Sequence, residues 1–130
     1  MVLPLLALAL GVTAGTEPSC RDLRVAWAAT ALSRAQTTGV FVGCTKTGPW
    51  LDARTGDEVT NHEATERCQH DDCTIAIVKQ GKGDLRTRMC LSKTRAHGVF
   101  QRAHEECWRA VIKHSESGWA LESVEMYSVT

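Results

Sequence analysis

Apolar and polar side chains alternate most cleanly between Leu85 and Leu91. Leu85, Thr87, Met89 and Leu91 fall on one side there, and Arg86, Arg88 and Cys90 on the other. That period of two predicts a β-strand with one covered face. Cys73–Gln80, dominated by Ile75, Ile77 and Val78, predicts the strand before it. Between them, Gly81-Lys82-Gly83-Asp84 supplies residues that tolerate positive φ, so the pair predicts a hairpin. Val40-Phe41-Val42-Gly43-Cys44 predicts a further strand bounded by glycine. Trp119–Val129, with Leu121, Val124, Met126, Tyr127 and Val129, predicts the last one.

A helical period is read in two places. Thr60 or Asn61 offers a side-chain oxygen to the free amides of a first turn, and Glu63 stands at capping-box spacing from Thr60. A short helix is expected from there through about Gln69, with Asp71-Asp72 ending it. The longer pattern runs from His97 to Ser115. Phe100, Ala103, Cys107, Val111 and His114 recur at steps of three and four, Trp108 and Ile112 widen the stripe, and Gly118 stops it. Arg24–Ser33, rich in alanine with Val25, Trp27 and Leu32, fits a helix or a strand. Thr47-Gly48-Pro49 and Thr55-Gly56-Asp57 are turn signals, and Pro49–Arg54 between them is read as a loop carrying Trp50.

From Val40 the predicted order is strand, helix, strand, strand, helix, strand. That is the βαββαβ order of a ferredoxin-like sandwich: two helices on one face of a four-stranded antiparallel sheet, with an N-terminal extension. The expected class is α+β.

Met1–Gly15 holds no charged side chain, and its apolar run Leu3–Leu10 is shorter than the roughly 20 residues a bilayer span needs. With small residues at Val12-Thr13-Ala14, residues 1–15 read as a secretory signal peptide and residues 16–130 as a single domain. The expected product is secreted and extracellular, with no stable membrane anchor. Lys plus Arg and Asp plus Glu balance at 15 each, which argues against a nucleic-acid partner held by phosphate neutralisation.

Cys20, Cys44, Cys68, Cys73, Cys90 and Cys107 are even in number and spread along the chain, and in a secreted protein that predicts three disulfides. Six cysteines allow 15 pairings, and the sequence does not choose among them. Zinc sites favour close Cys-x2-Cys pairs; the nearest pair here, Cys68 and Cys73, has four residues between, and no second close pair completes a tetrahedron. No metal and no cofactor are expected.

No nucleophile-elbow, zincin or phosphate-loop pattern occurs, and no catalytic residue is assigned. His97, His104 and His114 are the candidates for a ribonuclease, but His97 and His104 lie about 10 Å apart along the predicted helix, too far to share one reacting group. Trp50, on its loop, is a candidate partner anchor, or else folds back over the core. Arg86 and Arg88 are candidate binding residues in a basic patch with Lys79 and Lys82; the bland meaning of such charges is a solvated face that blocks edge pairing.

The leader, the domain size, the six cysteines and the βαββαβ order resemble the small secreted cysteine-rich proteins of fungi, many of them effectors. The plan is similar to that of the killer toxins of smut fungi. The resemblance is one of plan and carries no site residue. It implies binding or toxicity toward another organism's cell without a shared active site, and so a secreted interaction protein of effector or toxin type acting on a protein partner of a host or target cell; whether it is also an enzyme stays open. The alternatives are a small secreted hydrolase such as a ribonuclease, and a protease inhibitor presenting Thr47–Gly56.

Overall fold

The structure, a computed structural model, describes residues 17–81, 85–94 and 105–130. The predicted leader, Lys82, His97 and His104 lie outside the described residues.

The described chain opens with helix α1 (Cys20–Arg34). Ser19 caps it in a reciprocal box: its hydroxyl accepts from the Asp22 amide at 3.1 Å, and its own amide donates to the Asp22 carboxylate at 2.8 Å. Leu23, Trp27 and Ala31, at three- and four-residue steps, are its buried apolar stripe. The Arg24–Ser33 segment is thus helix, its alanines deciding between the two readings.

Strands β1 (Gly39–Gly43), β2 (Trp50–Asp52) and β3 (Glu58–Val59) follow. Then come helix α2 (Asn61–His70) and strands β4 (Cys73–Gln80), β5 (Arg86–Thr94), β6 (Glu106–Ser115) and β7 (Gly118–Val129). They form one seven-stranded sheet in the order β3-β2-β1-β4-β5-β6-β7. Only β1 and β4 pair in parallel; β2, β3 and α2 make the crossover between them.

The ferredoxin-like expectation is therefore overturned. The sheet is mixed and has seven strands, not four antiparallel ones, and the described part of that plan's second helix, from Glu106 to Ser115, is strand; the rest of its span, from His97 to His104, lies outside the described residues. Glu106–Ser115 is a strand: Trp108, Ala110 and Ile112 point to one face and Cys107, Arg109 and Val111 to the other. The supposed helical stripe of Cys107, Val111 and His114 mixed residues from both faces. Gly118, expected to stop a helix, has φ of 110° and closes the turn between β6 and β7. Pro49–Arg54, expected to be loop, contains β2.

Period-two alternation sorts each strand into an inner and an outer face. Helix α1 lies on the inner face over Val40, Val42, Ala76, Val78, Met89, Leu91 and Ile112. It touches β1, β2 and β4 and also β7, so the sheet curls around it. One polar link in this core is satisfied in full: Trp27 Nε1 donates to the Thr87 hydroxyl at 2.9 Å, which donates to the Lys79 carbonyl at 2.7 Å. Helix α2 covers only one end of the outer face, over Phe41, Trp50, Val59 and Cys73.

All six cysteines pair, as Cys20–Cys44, Cys68–Cys73 and Cys90–Cys107. The first two tie α1 and α2 to the sheet, and the third links β5 to β6. Among the described residues no helix is long and apolar enough to cross a membrane.

Candidate anion-binding face

Along β4 the outer side chains run Cys73, Ile75, Ile77, Lys79, passing from beneath α2 into solvent. The register then sets Lys79 opposite Arg88, and Arg88 opposite Arg109. Three cations on three adjacent strands stand in one row across the uncovered outer face. Neighbouring strands lie about 4.8 Å apart, so the row spans about 10 Å. Arg86 stands two residues from Arg88 on the same side.

Like charges directly opposite in a sheet are unfavourable, and nothing within the described residues offsets the row fully. Arg109 alone has an acid, Glu125, at 2.6 Å, and its guanidinium also lies 5.5 Å from the half-exposed ring of Tyr127. Among the described residues Lys79 and Arg88 have no acidic partner. The edge-blocking explanation does not apply, because β5 is flanked by β4 and β6 and has no free edge.

Charges at the α2 end are handled differently. Asp52 is buried and accepts from Arg67 at 2.8 Å and from the Arg54 amide at 2.9 Å. Asp52, then Glu63, push the Arg67 guanidinium above its ordinary range. Arg24, buried on the inner face, donates to Glu58 and holds that carboxyl below the ordinary glutamate range. The Nε and Nη1 atoms of Arg24 are buried without a partner, so Glu58 is its one acceptor.

The structure places Arg86 and Arg88 on the open face, as the alternation of β5 implied, with Lys79 beside them. It places Trp50 in the core at 3% exposure, the second of its two readings. The Trp50 ring lies against Gly43, where an added Cβ would come within 2.7 Å of it, and its Nε1 donates to Asn61 at 2.9 Å. Arg109 and Tyr127 went unrecognised. Arg109 falls within the span read as the longer helix, and the alternation of Trp108, Ala110 and Ile112 is the signal that finds it.

Of the candidate ribonuclease histidines only His114 is among the described residues. His114 sits on β6 with its ring 4.9 Å from that of Trp119, and His62 faces Glu66 on α2. His70 is the last residue of α2, and Asp71 is its C-cap, the helix-ending turn. Part of the proposed inhibitor segment, Trp50–Asp52, is a buried strand. A groove is lined by Ala35, Gln36, Thr37, Thr38, Arg54 and Asp72, but the Arg54 guanidinium is tied to the Thr37 and Thr38 carbonyls at 2.7 and 2.6 Å.

Comparison of the chain with family models, with curated proteins and with solved structures gives no match.

Proposed function

We infer that the protein is a secreted, disulfide-stabilised binding protein of effector or toxin type, which docks an acidic surface of a protein partner through the outer face around Arg88. The observation that carries this reading is the row Lys79–Arg88–Arg109 across three interior strands. Stacking cations there works against the fold, and no edge-protection role explains them. A bound acidic surface removes the repulsion and gains charge-assisted hydrogen bonds to the guanidinium groups. The even charge balance of the whole chain limits this attraction to the face itself. Three disulfides support the secreted part of the reading, since they persist in oxidising compartments. The βαββαβ plan behind the likeness to fungal killer toxins is not the observed fold, so support for the binding role comes from the face alone.

The test is capture of partners from target-cell extract on immobilised protein, wild type against Arg88→Glu. A protein ligand should be retained by the wild type, released by salt, and lost by the variant at unchanged circular dichroism. Equal retention by Arg88→Glu would sink the proposal. Retention that vanishes on nuclease treatment would also count against it, since it would identify a nucleic-acid ligand.

A further inference from the structure

Beside the basic row on the same outer face is the pair Cys90–Cys107, directly opposite each other on β5 and β6. Glu105 precedes β6, and a carboxylate oxygen of Glu105 lies 3.6 Å from Cys107 Sγ. In the disulfide that sulfur has no hydrogen to donate, so the carboxylate receives nothing from it. Among the described residues Glu105 has no cation partner either. It is nevertheless held in place: its amide donates to the Thr130 carbonyl at 3.1 Å, and its carbonyl accepts from the Thr130 amide at 2.9 Å. An anchored, unpaired carboxylate aimed at a pair of sulfurs calls for an explanation.

The three atoms Cys90 Sγ, Cys107 Sγ and the Glu105 oxygen all lie within 4.8 Å of one another. In a tetrahedral zinc site, Zn–S bonds of about 2.3 Å and Zn–O bonds of about 2.1 Å put neighbouring ligand atoms about 3.6–3.8 Å apart. The observed 3.6 Å between sulfur and oxygen is already such an edge. Small χ1 rotations of two opposite side chains, whose Cα atoms are 4.1 Å apart, separate the sulfurs to the same spacing.

This disulfide is also the one the fold can release most readily. Cys20–Cys44 and Cys68–Cys73 tether helices to the sheet. Cys90–Cys107 joins strands already paired from Arg86–Val111 to Leu91–Glu106. Cys90 is half-buried, so its sulfur is the more open to attack; Cys107 is buried.

We propose that Cys90, Cys107 and Glu105 form a zinc site when the disulfide is reduced, with water as the fourth ligand. A dithiol reductant delivers two electrons, and itself closes to a disulfide; the two cysteines take up two protons. Binding of the zinc ion then displaces those two protons, leaving two thiolates and one carboxylate on the metal. The site does not depend on the anion-binding reading and is tested without a partner.

The full-length protein is treated with a mild dithiol, the released thiols are mapped by alkylation and mass spectrometry, and cobalt(II) and zinc are titrated in. The expected result has four parts. Cys90 and Cys107 open first with the circular dichroism kept. One ion binds per chain, with thiolate-to-cobalt charge-transfer absorption. Zinc then shields these two cysteines from alkylation. Glu105→Gln, at an exposed position, weakens binding by at least the roughly tenfold that loss of an outer partner already costs. Any of three results overturns the site: reduction of this pair only as the protein unfolds, an open pair that takes up no ion, or affinity unchanged in Glu105→Gln.

Discussion

One side of one sheet carries two opposite solutions to burial and charge. At its β1–β2 end the outer face is closed by α2, and Phe41, Trp50, Val59 and Cys73 are dry beneath it. Polar groups there are matched: Trp50 with Asn61, and Asp52 with Arg67. At its β5–β6 end the face is open, and Lys79, Arg88 and Arg109 face one another. A buried mismatch costs far more than an exposed one, so the closed end is constrained by stability. The open end is free to carry charges that serve something other than the fold.

Substitutions at the two ends should therefore fail in different ways. The largest effect is expected from Trp50→Ala. Emptying a buried indole site should cost about 3–5 kcal/mol, read from chemical denaturation. Selective loss of a partner with stability unchanged would instead return Trp50 to the surface and erase the contrast. Arg67→Ala is the next test. It leaves the buried Asp52 carboxylate with only the loop amides of Arg54 and Thr55, and removes the cation 5.7 Å from the Phe41 ring. Losing one acceptor's partner in a buried site predicts a cost of about 1–3 kcal/mol.

The open end should respond with the other sign. Arg88→Glu converts a row of three cations into two opposite-charge neighbours, Lys79–Glu and Glu–Arg109. Cross-strand pairs of that kind are worth about 0.2–1 kcal/mol, so the variant should be slightly more stable than the wild type. Denaturation curves of the two proteins, at low and at high salt, check this, and the gain should shrink as salt rises. A destabilised Arg88→Glu would mean that the guanidinium serves the fold, and the two ends would no longer differ in kind.

Local signals were legible where one residue type decides one geometry. Thr60 caps α2 as its spacing to Glu63 implies, with the Glu63 amide donating to the Thr60 hydroxyl at 3.1 Å. The strand Cys73–Gln80 was legible in its β-branched residues Ile75, Ile77 and Val78, and the outward turn of Arg86 and Arg88 followed from alternation. The errors arose where two periods fit the same residues. In 106–115 bulky side chains occupy both faces of the strand, because Cys107 and Val111 line the outer face while Trp108 and Ile112 line the core. That doubled pattern reads as a wide helical stripe. Strand β2 was hidden for another reason: it has three residues and all are buried, so no alternation is left to see. Half of the basic row depended on β4 meeting β5 in a hairpin, which is local. The other half depended on the register of β5 with β6, which is set by long-range pairing.

The smallest effect expected bears on a matched charge pair at the same end of the sheet but on its inner face. Glu58 is half-exposed on edge strand β3, and Arg24, buried on the inner face, holds its carboxyl below the ordinary glutamate range. A depressed folded-state value means the unfolded chain binds the proton more readily. The contribution to stability is therefore complete above the ordinary glutamate range and is lost as pH falls through the lowered folded value. Solvent around Glu58 screens the pair, which keeps the change small. Denaturation midpoints measured on descending pH should fall less steeply in Glu58→Gln than in the wild type across that acid window, and Arg88→Gln should leave the slope as it is. Identical slopes for the wild type and Glu58→Gln would mean that the desolvated Arg24 is satisfied by something other than Glu58, and that charge matching at this end of the sheet does not extend to its inner face.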